Sequence, residues 1–78
     1  MTSAELLTHI VQAICEFPES VKINHLNGTR TDVFEISVDE SDRGRIIGKG
    51  GYTHQALQTI FVAIARGKED KHTKIVIL

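Results

Sequence analysis

Residues 46–51 read Ile-Ile-Gly-Lys-Gly-Gly, and this hexapeptide decides the fold class. Three of its last four positions are glycine, a residue that offers no side chain to a core and loses much backbone entropy wherever it is ordered. Apolar residues precede the glycines, and the pattern of an amphipathic helix follows them. We therefore predict a turn between two helices, at which a bound group comes close to the backbone of Gly48–Gly51.

Hydrophobic periodicity on both sides of the glycines predicts the element order α-β-β-α-α-β. The predicted elements are a helix over residues 3–16 with Ser3 as N-cap and Pro18 ending the pattern, strands over 21–26 and 33–38, a short helix ending near Gly48, a long helix ending at Gly67 in an αL conformation, and a strand over 71–78. Asn27-Gly28 predicts a hairpin turn between the first two strands, because this dipeptide tolerates positive φ.

Repeating apolar residues identify the expected core. In the second strand, Phe34, Ile36 and Val38 alternate with residues of the opposite face, which is typical of a half-buried strand. The last strand is apolar enough over residues 75–77 to lie in the centre of a sheet. One face of the long helix is expected to be apolar and is formed by Ala56, Leu57, Ile60, Phe61 and Ile64. Phe17 also falls on a predicted apolar face.

Length and composition predict one globular domain over residues 1–78. The chain is 41% hydrophobic and 24% charged, as ordinary globular proteins are. Its net charge of -1 and its pI near 6.4 argue against binding nucleic acid by bulk charge, so any such surface must be a local patch. No apolar run approaches the ~20 residues of a membrane span, and residues 1–5 lack the basic start of a secretion signal. We expect a cytoplasmic protein without membrane contact.

The glycine segment does not match the phosphate loops of nucleotide-binding proteins. Three residues separate Gly44 from Gly48, where a P-loop needs four, and Gly50 stands where a P-loop has Ser or Thr. A dinucleotide-binding fingerprint needs a different glycine spacing directly after a strand. A tight corner between helices is one remaining interpretation. The other is a GxxG turn that clamps the backbone of about four single-stranded nucleotides.

A short cluster of cations favours the second interpretation. Arg43, Arg45 and Lys49 lie immediately before and within the turn, with no acidic residue between them. Alone, such a run is usually a solvated helix face, but here the N-terminus of the following helix adds N–H groups and partial positive charge for a phosphate. Tyr52 is interpreted either as a base-stacking residue or as a half-exposed helix residue.

The remaining reactive side chains predict neither an enzyme nor a cofactor site. His9, His25, His54 and His72 have no metal-ligand spacing, and His54 is the histidine most expected to touch RNA. The acidic cluster over residues 39–42 is expected to cap a helix rather than to catalyse. Cys15, the sole cysteine, excludes an internal disulfide and is expected to be a buried structural thiol. We predict no metal, no cofactor and no catalytic residue.

Residues 45–51, Arg-Ile-Ile-Gly-Lys-Gly-Gly, together with the predicted element order, resemble the short bacterial single-KH-domain RNA-binding proteins, the KhpA-like family. The resemblance covers essentially the whole chain. It implies an α+β fold of type II KH topology, with a three-stranded mixed sheet and helices on one face. It also implies that Gly48–Gly51 hold the backbone of single-stranded RNA, while Ile46 and Ile47 line or support a base groove.

The resemblance further implies an RNA chaperone or post-transcriptional regulator that pairs with itself or with a second KH protein. The chain departs from the family after the motif, where many relatives have arginine and this sequence continues Tyr-Thr-His-Gln over residues 52–55, which implies weak intrinsic RNA affinity. A rival hypothesis is a KH-shaped interaction module that dimerises or docks a partner through the helix of Cys15 or the edge of the final strand.

Overall fold

A computed structural model describes residues 1–68 and 71–78. The described residues form three α-helices and three strands in the predicted order: α1 Ser3–Ile14, β1 Lys22–Asn27, β2 Thr31–Ser37, α2 Arg43–Ile47, α3 Tyr52–Lys68 and β3 His72–Ile77. Short 3₁₀ turns at Pro18–Ser20, Glu40–Asp42 and Lys49–Gly51 connect them. Within these residues, no helix is long and apolar enough to cross a membrane.

The strands form one mixed sheet in the order β1-β2-β3. β1 pairs with β2 in an antiparallel hairpin, and β3 lies parallel to β2. The prediction of a three-stranded mixed sheet is therefore confirmed, but the central position predicted for the last strand is wrong. β2 is the central strand, because β3 returns from α3 to one side of the hairpin and leaves its other edge without a strand among the described residues.

The core lies between the sheet and the helices. Phe34 and Ile36 of β2 are 2% and 0% exposed, which confirms the predicted inward face of that strand. Leu57 and Phe61 of α3 pack in the same cluster. Leu7 and Val11 of α1 also belong to this cluster, and α1 contacts β1 as well.

The prediction that the whole apolar face of α3 packs against the core is wrong for its outer part. Ile60 is 46% exposed, and Ala56 is also exposed. The core contacts a narrower stripe of the helix, with Leu57 and Phe61 at its centre and Ile64 at its margin. Phe17 is 40% exposed, so its predicted core position is wrong too, because α1 ends at Ile14 and Phe17 no longer lies on the apolar face of that helix.

Two helix ends lie at positions that differ from the predicted ones. Thr2, rather than Ser3, is the N-cap of α1: its hydroxyl accepts from the Glu5 N–H at 3.1 Å, and the Glu5 carboxylate accepts from the Thr2 N–H at 3.0 Å. Such a capping box satisfies two N–H groups at once. At the other end of the fold, α3 continues past Gly67, which does not adopt the predicted αL conformation.

Gly28 forms the predicted hairpin, although not by positive φ. Its N–H donates to the Thr31 carbonyl at 3.0 Å, and a Cβ at Gly28 would lie 2.5 Å from that oxygen. The close approach of the two strand ends explains the glycine.

A buried carboxylate ties the first two strands to the start of β3. Asp32 accepts from the Lys71 ammonium at 3.0 Å and lies 3.2 Å from Nε2 of His25. Lys71 also donates to the side-chain oxygen of Asn27 at 2.8 Å, and the His25 ring stacks on Phe34. Burial alone would raise the pKa of Asp32, but the hydrogen bonds from Lys71 and His25 outweigh it and hold that pKa below its ordinary value.

Candidate nucleic-acid interface

The glycine turn joins α2 to α3 through backbone conformations that side chains rarely adopt. Gly48 has φ 78° and ψ 164°, Gly50 has φ 66° and ψ 16°, and Gly51 has φ 81°. The Gly51 N–H donates to the Gly48 carbonyl at 3.0 Å. Each glycine of the GxxG motif therefore has a positive φ, a conformation that glycine adopts at little steric cost.

The glycines differ in what surrounds them. A Cβ at Gly48 would lie 2.4 Å from Oγ1 and 2.6 Å from the backbone nitrogen of Thr53, so α3 begins directly against this residue. A Cβ at Gly50 or Gly51 would have no neighbour within 4 Å among the described residues. Gly48 is therefore needed for the fold, whereas Gly50 and Gly51 face open space into which a ligand could come.

The predicted cluster of cations is largely engaged within the protein. Arg43 donates through Nε to the Leu78 carbonyl at 2.7 Å. Arg45 pairs through Nε with the Asp42 carboxylate at 3.2 Å and through Nη2 with Glu16 at 3.6 Å. Lys49 is exposed at the turn. Of this cluster, Lys49 is the residue best placed to meet a phosphate.

Asp42 supports the turn in a way that sequence reasoning missed. Its side chain is fully buried, and its two carboxylate oxygens accept from the N–H groups of Glu16 and Phe17, each at 3.0 Å. It thus anchors the segment after α1 to the start of α2, while Asp39 performs the predicted capping by accepting from the Ser41 N–H. The Glu16 N–H above all, with that of Phe17 and the nearby Arg45, lowers the pKa of Asp42 despite its desolvation.

A groove of about 640 Å³ runs from the turn between α3 and β3. Among the sequence-predicted site residues, Gly50, Gly51, Tyr52 and His54 line it. The residues that sequence reasoning missed are Gln55, Gln58, Thr73, Lys74 and Ile75. Pockets of about 300–1,000 Å³ hold small ligands, so the volume suits a nucleotide.

Side chains of α3 hydrogen-bond the backbone of β3 inside this groove. The Gln58 carboxamide donates through Nε2 to the Thr73 carbonyl and accepts through Oε1 from the Ile75 N–H at 2.8 Å. His54 Nε2 lies 2.6 Å from the Ile75 carbonyl. Because a carbonyl only accepts, this nitrogen carries a proton, and only the other side of the His54 ring is available to a ligand.

The other predicted site residues occupy different environments. Ile46 is 0% exposed and belongs to the core cluster, so it supports the turn from beneath. Ile47 is 36% exposed and does not line the groove. Tyr52 is 80% exposed, which leaves its ring free of the protein and open to a base.

The sole cysteine of the chain lies in the hydrophobic core. Cys15 is buried, and desolvation, followed by the charge of Asp42, raises the pKa of its thiol. This agrees with a structural thiol, since the thiolate is the reactive form. Within residues 1–68 and 71–78, no three His, Cys, Asp or Glu side chains are grouped so that they could hold a metal ion.

A GxxG turn between two helices, packed on a three-stranded mixed sheet in the order α-β-β-α-α-β, defines the chain as a KH domain of type II. The family model described as the KH domain of KhpA/KhpB matches residues 4–77. The chain belongs to this family.

Curated relatives agree with this assignment. The chain is 41% identical to the RNA-binding protein KhpA of Chlamydia pneumoniae over 61 residues, which cover 78% of each chain. It is 38% identical to RNA-binding protein KhpA of Leifsonia xyli over 83% of this chain and 86% of the relative. For KhpA of Caldanaerobacter subterraneus, identity is 34% over 95% and 97% of the two chains. No solved structure gives a significant match.

Proposed function

We propose that this protein is a non-enzymatic binder of single-stranded RNA, in which Gly48–Gly51 hold the sugar-phosphate backbone. The observation that carries the proposal is the open turn at Gly50 and Gly51, where no described atom would meet a Cβ and a groove begins directly beside the backbone. The relatives named above are RNA-binding proteins. Cytoplasmic action as an RNA chaperone or post-transcriptional regulator is the role we propose for such binding.

Electrostatics support backbone contact of modest strength. Lys49 lies at the turn, Lys74 lines the groove, and the N-terminus of α3 adds partial positive charge. Two neutralised phosphates at about 0.7 each predict a slope of about -1.4 for log affinity against log salt. If Arg45 also bound a phosphate, the slope would become steeper, but Arg45 would lose its ion pairs with Asp42 and Glu16.

Fluorescence anisotropy of labelled single-stranded RNA tests this function. The variant Lys49→Asp/Gly50→Asp places negative charge where the phosphates would lie, and Asp tolerates the αL conformation of Gly50 better than most residues. We expect affinity to fall about tenfold or more, from the lost contact and the added repulsion. Circular dichroism checks that the variant is folded.

The matched control is Thr29→Asp/Arg30→Asp in the hairpin loop, which makes the same change in net charge. This loop contacts the start of β3, where the His72 N–H donates to the Arg30 carbonyl. Next to this contact, the Lys71 N–H donates to the Ala65 carbonyl near the C-terminal end of α3. The glycine turn lies at the other end of α3, which is 17 residues long, about 25 Å. The hairpin loop and the glycine turn are therefore near opposite ends of this helix. The control should bind within about twofold of wild type. Equal losses in both variants would refute a site at the turn.

A second candidate function is association with another KH protein, either a second copy or a different chain. Ile60 is 46% exposed between Ala56 and Ala63, which are also exposed and share its helical face at spacings of four and three residues. This uncharged face of α3 favours an interface more than the rival surfaces do, because the apolar side chains of α1 at Leu6 and Ile10 already pack against the core.

Light scattering after gel filtration tests this association. Ile60→Asp should convert an oligomer to a monomer, while Ala13→Asp on the exposed side of α1 should not. A monomer formed by Ala13→Asp, with the oligomer retained by Ile60→Asp, would place the interface on α1, the helix that leads to Cys15. A wild-type monomer would leave a different KH chain as the partner, and this is tested by mixing the two proteins.

A further inference from the structure

The free edge of β3 carries backbone groups that face the proposed RNA groove. In a parallel pair, alternate residues direct their N–H and C=O groups to the same neighbour. The N–H groups of His72 and Leu78 donate to carbonyls in or beside β2, which assigns these residues and the alternate ones between them to the β2 side. Thr73 and Ile75 therefore point their backbone groups away from the sheet, toward α3.

Gln58 occupies these edge groups with a matched pair of hydrogen bonds. Its carboxamide donates to the Thr73 carbonyl and accepts from the Ile75 N–H. A donor and an acceptor side by side is also the pattern presented by the hydrogen-bonding edges of nucleobases, which is why Gln itself can pair with adenine through two bonds. The carboxamide thus makes the contacts that a base edge would make with this strand.

We propose that Gln58 is an internal competitor of the RNA base, so that a base reads the backbone of Thr73 and Ile75 only by displacing the carboxamide. Gln58 lines the same groove as Gly50 and Gly51, which places base and backbone contacts within one site. The inference rests on the proposed RNA-binding function and names the residue that sets affinity and base selectivity within it. It gives a structural cause for the weak intrinsic RNA affinity that the sequence leads us to expect.

His54 strengthens this arrangement. Its Nε2 donates to the Ile75 carbonyl at 2.6 Å, so the outward N–H and C=O of Ile75 and the outward carbonyl of Thr73 all have partners on α3. An edge covered in this way cannot accept another strand along this stretch. This argues against docking of a partner strand at residues 73–75 and leaves displacement by a smaller group, such as a base.

The test compares Gln58→Ala and Gln58→Asn with Gln12→Ala on α1. The Asn side chain is one methylene shorter and cannot span both contacts. Gln12 lies outside the groove, and its carboxamide donates to the Pro18 carbonyl at 3.5 Å, so this control also removes a side-chain contact with the backbone. Two net hydrogen bonds lost by the free protein predict RNA affinity about five- to 150-fold higher for Gln58→Ala. One lost bond predicts affinity about two- to thirteenfold higher for Gln58→Asn, and we expect a change within about twofold for Gln12→Ala.

Hydrogen exchange of the Ile75 amide gives a readout that a purely structural role would not produce. We expect slow exchange in free wild type, faster exchange in free Gln58→Ala, and slow exchange again in the RNA complex of that variant. Wild-type binding with equal or weaker binding by folded Gln58 variants would overturn the inference alone. Absence of RNA binding by wild type and by every variant would overturn the proposed function and the inference with it.

Discussion

Gly48→Ala should destabilise the fold far more than Gly50→Ala, although both residues belong to the same turn. Gly48 has φ 78° and ψ 164°, a combination open almost only to glycine, and side chains forced into such regions cost about 1–3 kcal/mol. The new Cβ would also lie 2.6 Å from the backbone nitrogen of Thr53 and 2.4 Å from its Oγ1. Overpacking of this kind costs about 1–3 kcal/mol.

The two costs, less about 0.4–1 kcal/mol from the reduced entropy of the unfolded chain, give about 1–5.5 kcal/mol for Gly48→Ala, with a midpoint of about 3 kcal/mol. At Gly50 the conformation is αL and the space is open. An αL alanine costs about 1–2 kcal/mol, so after the same correction Gly50→Ala costs about 0–1.5 kcal/mol. A 78-residue protein has a total stability of only about 4–12 kcal/mol, so the difference is measurable.

Urea denaturation and thermal denaturation, each followed by circular dichroism, measure the stability of both variants. At the midpoint of about 3 kcal/mol, Gly48→Ala should lower the melting temperature by about 12–24 °C, using about 4–8 °C per kcal/mol for a domain of this size. Addition of Thr53→Ala should not restore stability, because the backbone nitrogen of Thr53 remains in contact. Costs for Gly48→Ala and Gly50→Ala that agree within about 0.5 kcal/mol would refute this account of the turn.

Other predictions concern residues whose environments the structure defines. Asp42→Asn should destabilise the protein at pH 7 by weakening the hydrogen bonds to Glu16 and Phe17. Because the pKa of Asp42 is lowered in the folded protein, its contribution to stability is present above the unfolded pKa of about 4 and is lost as pH falls through the folded pKa. Urea titrations at several pH values should therefore show that the stability of the variant depends less on acid pH. The Cys15 thiol, buried and with a raised pKa, should react with a thiol reagent at pH 8 at least about tenfold more slowly in the native protein than in urea. Tyr52→Ala should change the melting temperature by less than about 4 °C, since the ring is 80% exposed, yet weaken RNA binding about fivefold or more if the ring stacks on a base; unchanged binding would refute stacking.

The element order and the turn could be predicted from sequence because local patterns encode them. The alternation around Phe34 and Ile36 defines a strand face without knowledge of its neighbours. The glycines at 48, 50 and 51 favour positive φ by residue type alone, because glycine has no Cβ. These features need no information about distant parts of the chain, and the structure agrees with them.

Other features depend on contacts between residues far apart in sequence. Asp42 reads as a helix cap, but its partners Glu16 and Phe17 lie 25–26 positions away. The exposure of Ile60 follows from which part of the α3 apolar face meets the sheet, and the helix period alone does not decide this. Gln58 gives no sequence signal, because its role exists only when β3 lies beside α3.

The engaged arginines illustrate the same point for the site. Arg45 belongs to a basic cluster in sequence, yet its guanidinium lies against Asp42 and Glu16. Charge counted along the chain therefore overstates the positive charge available to RNA. The available cation of this cluster is Lys49, which explains why we expect a shallow salt dependence.

A titration of the isotopically labelled protein with a short single-stranded RNA, followed by the backbone amide signals in NMR spectra, tests the central claim most directly. If the GxxG turn holds the RNA backbone, the largest shifts will fall on Gly48–Gly51, with further shifts at Thr73–Ile75 across the groove. Shifts confined to β1 or α1, with the turn unchanged at saturating RNA, would contradict the claim.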